Sequence, residues 1–229
     1  MPSRRNRVKE TDRKANKPWL KRKQPGPATS PIITAKRAFL ILCEGHTERD
    51  YFATFSGNGV ALKAEVLGVT KLELVDCAIE YRDGTTYDEV WVVYDQDFNP
   101  AEGEDQFERA RMSLERAAQN DIQVAYSNDV FELWLRLHYE AITGPLSRRQ
   151  LYKDLSNRWS INYEREGKKR DFRKSIRERL TDDAAASEQA AIERAKDLFT
   201  ERGALPHAQQ NPLTTVHHLV LRLLAAGRE

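Results

Sequence analysis

The sequence predicts an α/β fold, a parallel sheet flanked by helices with a helical C-terminal extension, and three observations support this. Two continuous apolar segments, 37–43 and 89–94, have the length and composition of buried strands. Segments with helical spacing alternate with strand-like segments over residues 37–126, which is typical of parallel sheets. Both apolar strands end abruptly at acidic residues. Because active sites of such sheets lie at the carboxyl ends of strands, those acidic residues are the first candidates for function.

Each element follows from a local pattern. Thr47 is a plausible N-cap for a helix that runs through Phe55 and is stopped by Gly57 and Gly59. Asp83 and Gly84 predict a turn. The remaining predictions are strands near 64–69 and at 122–126, helices at 71–81, 103–119, 129–139, 147–157, 171–180, 182–202 and 213–226, and a charged loop at 158–170.

Charge is distributed unevenly along the chain. Residues 1–37 contain twelve Lys and Arg against two Asp and Glu, whereas the remainder contains 25 against 33. We therefore predict a basic tail at 1–34, disordered or loosely docked, then an α/β domain at 35–128 and a helical region at 129–229 packed on it. A basic tail favours a nucleic-acid partner through counterion release, although it is also compatible with a solubilising tail. No apolar run is long enough to span a membrane and no secretory signal is visible, so a cytoplasmic location without membrane contact is expected.

The acidic residues at the two strand ends predict a metal site. Glu44 follows the first strand, while Asp95 and Asp97 follow the second, two residues apart and thus on the same side of an extended chain. Mg²⁺, or Mn²⁺ in its place, prefers oxygen ligands of this kind. Glu44 is a candidate general acid or base as well as a ligand. The alternative for Asp95 and Asp97 alone is turn capping.

Three residues after the first strand are further candidates. Gly45 would allow the backbone to approach a phosphate closely. Glu48 is either a supporting catalytic carboxylate or a favourable charge at a helix start. His46 is either a donor to a substrate phosphate or a solvent-exposed loop residue.

A second group of candidates lies after residue 127. Glu132, within an apolar helix start, is either a ligand or general base, or a structural carboxylate paired with Arg136 or a backbone amide. Asn128 is a candidate helix cap or substrate contact, and capping is favoured. His138 is expected to be structural, because it lies six residues beyond Glu132. Candidate contacts to a nucleic-acid backbone are Lys168, Lys169, Arg170 and Arg173, with a solvated charged face as the alternative.

Three motifs in order resemble the RloB family, whose members are regarded as TOPRIM-like nucleases encoded beside restriction-modification or phage-defence genes. The motifs are 42–48 with Tyr51 and Phe52, 127–135 with His138, and 211–217, and the resemblance spans about residues 36–225. Asp95 and Asp97 stand where the family carries its DxD element. Two positions depart from the family pattern. Asp129 stands where many relatives have a proline, and Arg49 stands where Glu-Pro often follows the threonine.

The resemblance implies a metal-dependent nuclease of RNA or DNA in anti-phage defence of the abortive-infection type. It also allows a partner ATPase encoded in the same locus, and self-association of the chain. The alternative is a non-catalytic nucleic-acid-binding or scaffold subunit of a defence complex. Topoisomerase or primase action is disfavoured, because the chain is short and shows no nucleotide-binding apparatus. A P-loop motif is also absent from the sequence, so the chain is not itself a P-loop ATPase.

Overall fold

A computed structural model describes residues 36–57, 59–69, 71–84, 86–97, 103 and 105–228. The predicted basic tail at 1–34 lies outside these residues. The five strands are β1 (Arg37–Cys43), β2 (Val60–Val66), β3 (Glu89–Asp95), β4 (Gln123–Asn128) and β5 (Leu213–Thr214). The α-helices are α1 (His46–Ala53), α2 (Lys71–Gly84), α3 (Asp105–Ala118), α4 (Glu132–Leu137), α5 (Arg148–Trp159), α6 (Arg170–Asp182), α7 (Glu188–Arg202) and α8 (Val216–Ala226). A π-helix (Tyr163–Gly167) and a 3-10 helix (His207–Gln209) complete the set.

The strand order is β2-β1-β3-β4-β5. Strands β1 to β4 are parallel, and β5 runs antiparallel to β4. The α/β class is therefore confirmed, with a mixed rather than wholly parallel sheet. The chain moves outward from β1 to β2 and then crosses to β3 on the other side of β1. This reversal places a topological switch point, where ligands bind in such sheets, between the carboxyl ends of β1 and β3.

The sheet is buried on both faces, which explains its continuous apolar strands. On β1, Phe39 and Ile41 face α1, α4 and the C-terminal helices, whereas Leu40 and Leu42 face α2 and α3. The first of these two cores joins sheet residues to residues of α5 through α8. The helical C-terminal region is thus packed on the sheet and buries one of its faces.

Asp83 and Gly84 end α2 instead of forming a turn. The helix predicted at 129–139 is limited to α4, and the helix predicted at 182–202 begins only at Glu188.

Four further local predictions were wrong. Helix α1 starts after Gly45, with no side-chain cap, so Thr47 lies inside the helix. Strand β2 starts at Val60, because its pairing with β1 begins directly after the turn at Gly59. Residues 158–170 are not a loop, since they include the π-helix, whose start is capped by the Asn162 side chain.

The fourth error concerns the C-terminal helix predicted at 213–226. Leu213 and Thr214 instead form β5, which pairs with the end of β4, and the helix begins only at Val216. A strand of two residues has no periodicity that a sequence pattern can reveal. Within the described part of the chain, no helix has the length and apolar character needed to cross a membrane.

Candidate active site

The ends of β1 and β3 bring two predicted ligands together. The backbone amide of Glu44 donates to the carbonyl of Val93 at 2.9 Å, which continues the parallel ladder beyond β1. The backbone amide of Asp95 in turn donates to Glu44 Oε2 at 3.3 Å. The carboxylate of Glu44 therefore spans the switch point and lies against the end of the neighbouring strand.

Asp95 is held by the helix that follows β4. Its Oδ1 accepts from the backbone amide of Phe131 at 2.8 Å. Burial raises the pKa of Asp95 well above its usual value, and the charges of Glu48 and Glu132 raise it further. Burial also raises the pKa of Glu44, and the nearby charge of Lys71 partly offsets this effect. Both carboxyl groups thus stand in surroundings short of positive charge.

Glu48 points back over the start of α1 and is only 4% exposed. A Cβ atom at position 45 would lie 2.5 Å from Glu48 Oε2, so Gly45 makes room for this carboxylate. Burial raises the pKa of Glu48 to about 7, with the charge of Glu132 adding to the shift and a hydrogen bond to its own backbone amide opposing it. Glu48 is therefore a buried carboxyl group with a raised pKa that interacts with Glu132 and Glu44, and it is not a surface charge at a helix start.

Asp97 is not free to face the other acids. Its Oδ2 accepts from an Arg148 guanidinium nitrogen at 2.5 Å, and Lys71 Nζ lies 4.0 Å from Oδ1. The carboxylate is 41% exposed. Asp97 contributes to the field at Glu44 and Asp95, but its oxygens are engaged by these cations.

Glu132 is a buried, paired carboxylate. It is 1% exposed, and its Oε1 accepts from Lys168 Nζ at 2.5 Å and from the hydroxyl of Tyr163 at 2.8 Å. The predicted partner Arg136 instead forms ion pairs with Glu140 and Asp154. Glu132 is thus a paired carboxylate, as in the structural interpretation, but its partners are Lys168 and Tyr163 and not Arg136.

The four basic candidates at 168–173 divide into two pairs. Lys168 is committed to Glu132, and Arg173 Nε donates to the buried Asp50 at 2.8 Å, which ties α6 to α1. Lys169 pairs with Glu166 and is 66% exposed, and Arg170 is exposed. Lys168 and Arg173 thus neutralise internal acids and also line the cleft, so contact of these four residues with a phosphate backbone stays a prediction.

Two further candidates have structural partners. Asn128 does not cap α4, whose N-cap is Phe131; its Nδ2 donates to the carbonyl of His207 at 3.1 Å. His138 is buried, its Nδ1 lies 3.0 Å from the carbonyl of Trp134, and burial lowers its pKa to about 4. A neutral, internally bonded His138 agrees with the predicted structural role. His46 is exposed at the rim of the cleft.

A cleft of about 370 Å³ opens beside these acids. Sequence reasoning missed Arg148, which lines it together with Tyr152. A signal was present, because Ser147 and Gln150 form a capping box that starts α5 and puts Arg148 in its first turn. The full lining is Gly45, His46, Thr47, Glu48, Asp95, Arg148, Tyr152, Lys168 and Arg173.

The donor set suits a hard divalent cation only in part. Glu44 and Asp95 offer oxygen atoms, which Mg²⁺ and Mn²⁺ prefer. Within the described residues, however, no three Asp, Glu, His or Cys side chains stand in an arrangement that would hold a metal ion. Asp97 completes the predicted trio only if it leaves Arg148.

Comparison with known proteins gives a match to one protein family. A family model described as RloB-like protein matches residues 39–223, which is most of the chain and contains all three sequence motifs. No curated protein and no solved structure gives a significant match. Since the match covers the sheet, the acidic cleft and the helices behind it, the chain belongs to the RloB-like family.

Proposed function

We propose that this protein is a divalent-metal-dependent phosphodiesterase that cleaves nucleic acid. The observation that carries the proposal is a local excess of negative charge at the switch point. Five carboxylates influence one another there, and the described cations in contact with them number three, so ionisation of all five acids leaves two negative charges unbalanced. The acids are Glu44, Glu48, Asp95, Asp97 and Glu132, and the cations are Lys71, Arg148 and Lys168. One divalent ion would balance this group.

The residues suggest distinct roles. Glu44 and Asp95 would hold the ion, with Asp97 joining them after release from Arg148. When bound, such an ion polarises a phosphoryl oxygen and lowers the pKa of a bound water. Glu48 lines the cleft together with Asp95 and is not one of the assigned ligands, so we give it the acid-base role first considered for Glu44. Glu132 positions Lys168 and Tyr163 beneath the cleft and makes no contact with substrate.

The wider biological role rests on the resemblance described above. RloB-type proteins resemble TOPRIM nucleases of phage-defence loci, and we extend that role to this chain as an abortive-infection effector. The same resemblance allows a partner ATPase that restrains the nuclease, and self-association. The substrate is RNA or DNA.

The test is incubation of the purified full chain with total RNA and plasmid DNA, with and without Mn²⁺. We expect cleavage that requires the ion and is abolished by Glu44→Gln and by Asp95→Asn, which keep side-chain size. Glu178→Gln is the matched control, because Glu178 is exposed and away from the cleft. Cleavage that persists in both active-site variants would overturn the proposal.

A second candidate is a non-catalytic nucleic-acid-binding subunit. It is favoured by one observation, the engagement of Asp97 by Arg148, which leaves the three predicted ligands unassembled. Under this alternative the parent protein binds oligonucleotides with the same affinity with or without Mn²⁺, and cuts none of them. The cleavage and binding assays together separate the two candidates.

A further inference from the structure

A groove of about 900 Å³ runs along the first turns of α5 beside the acidic cleft. Three cations line it, Arg148, Arg149 and Lys153, and all three are exposed. The opposite wall is formed by residues 161–164, which lead into the π-helix and form its start. The remaining lining residues are Tyr152, Ser156, Ile161, Asn162 and Glu164.

Two of the three cations in the groove, Arg149 and Lys153, have no ion-pair partner among the described residues, while Arg148 pairs with Asp97 and the lining includes one carboxylate, Glu164. By contrast, neighbouring Lys169 pairs with Glu166 and Arg136 pairs with Asp154. Residues 38–229 have a net charge of −8, so this groove is a positive feature on an acidic body. Clustered like charges repel one another, and a polyanion in the groove would relieve that repulsion.

The groove is continuous with the candidate active site. Arg148 and Tyr152 line both the groove and the acidic cleft that contains Asp95 and Glu48. The guanidinium of Arg148 reaches from the groove to Asp97. A ligand that enters along α5 therefore passes Arg149 and Lys153 before it reaches Asp95 and Glu48.

The dimensions favour a single strand over a duplex. The acidic cleft, at about 370 Å³, is near the lower end of small-ligand pockets, which span roughly 300–1,000 Å³. A cleft of this size suits a small ligand and not the width of a duplex. From Arg148 to Lys153 the helix rises about 7.5 Å, a distance that covers roughly two phosphates of one strand.

We propose that the α5 groove binds the sugar-phosphate backbone of a single nucleic-acid strand and leads it to the cleft lined by Asp95 and Glu48. Arg148 is the junction: a phosphate that enters the groove competes with Asp97 for its guanidinium. The destination of the strand rests on the proposed nuclease function. Strand binding itself does not depend on catalysis and is tested separately.

The test measures binding of a labelled single-stranded oligonucleotide, as RNA and as DNA, by fluorescence anisotropy in EDTA over a range of salt concentrations. The variant is Arg149→Ala with Lys153→Ala, two exposed positions of α5 where alanine supports the helix. The matched control is Lys196→Ala with Arg228→Ala, which removes the same residue types from exposed positions outside the groove. The full chain is used throughout, so the basic N-terminal segment contributes equally to every variant.

Each lost phosphate contact should reduce the slope of log affinity against log salt by about 0.7, so the double variant loses about 1.4. A fourfold rise in salt should then weaken its binding about sevenfold less than that of the parent. The control should match the parent. An unchanged slope in the double variant, or a slope reduced equally in the control, would overturn the proposal.

Cleavage assays with Mn²⁺ distinguish this failure from failure of the nuclease proposal. If the parent cuts while the double variant keeps the parent's salt slope, the groove assignment fails alone. If the parent binds through the groove and never cuts, strand binding stands and the nuclease proposal fails. If both hold, the double variant should show a raised KM with a kcat near that of the parent.

Discussion

Replacement of Glu48 by glutamine should change how the stability of the metal-free protein depends on pH. Glu48 is buried, and burial raises its pKa from 4.5 to about 7 in the folded state. A carboxyl group whose pKa is raised on folding stabilises the protein below the unfolded pKa, and that contribution is lost as pH rises through the folded pKa. The parent protein should therefore be more stable near pH 5 than near pH 8.

The magnitude follows from the two pKa values. A rise from 4.5 to about 7 corresponds to roughly 3 kcal/mol, and most of this falls between pH 5 and pH 8. Asp95 and Glu44 have pKa values raised in the same direction, so they add to the same trend. Glutamine keeps the size of the side chain and carries no charge. The stability of the variant should therefore be close to that of the parent near pH 5 and about 2–3 kcal/mol higher near pH 8.

The assay is urea denaturation at several pH values in EDTA, with Glu178→Gln as an exposed control. The control should follow the parent at every pH. A raised pKa for Glu48 would be refuted if the parent gained stability from pH 5 to pH 8. It would also be refuted if the stability of Glu48→Gln changed with pH as much as that of the parent.

Three further predictions concern the neighbours of this carboxylate. Lys168→Met should lower the free energy of unfolding by about 3 kcal/mol, the lower end for a broken buried pair, because Lys168 is 37% exposed. Adding Glu132→Gln should restore more than half of that loss. Denaturation curves measure both variants, and a double variant as unstable as Lys168→Met would contradict the pairing. Arg148→Ala should raise Mn²⁺ affinity severalfold by freeing Asp97 while lowering cleavage, whereas unchanged Mn²⁺ affinity would show that the ion pair does not restrain that carboxylate. Gly45→Ala should change stability little and lower cleavage, because its Cβ would displace the flexible end of Glu48, which it meets at 2.5 Å; a variant that cleaves at the parental rate would refute a role for that carboxylate position.

Much of the fold was predictable because both β1 and β3 are buried on two faces and read as continuous apolar segments. Their acidic ends were predictable for the same reason, and the structure brings Glu44 within 3.3 Å of the Asp95 amide. Strand β5 was not predictable. Its two residues are ordered by pairing with β4, a contact more than eighty positions away in the chain.

The partners of the buried charges were also beyond a sequence pattern. Glu132 lies four residues from Arg136, which suggested a local pair, yet it is neutralised by Lys168 from a distant segment. Arg148 is adjacent to Asp97 only because the start of α5 is anchored near the end of β4, where its backbone amide donates to Asp129. Such contacts are set by tertiary packing, and local spacing does not encode them.

A metal site at the ends of β1 and β3 is tested most directly by calorimetric titration of the parent protein with Mn²⁺, compared with Glu44→Gln, Asp95→Asn and the control Glu178→Gln. We expect the parent and the control each to bind one ion, and either active-site variant to lose at least about tenfold in affinity. Equal binding by all four proteins, or no binding by the parent even with a single-stranded oligonucleotide present, would contradict a metal site at the ends of β1 and β3.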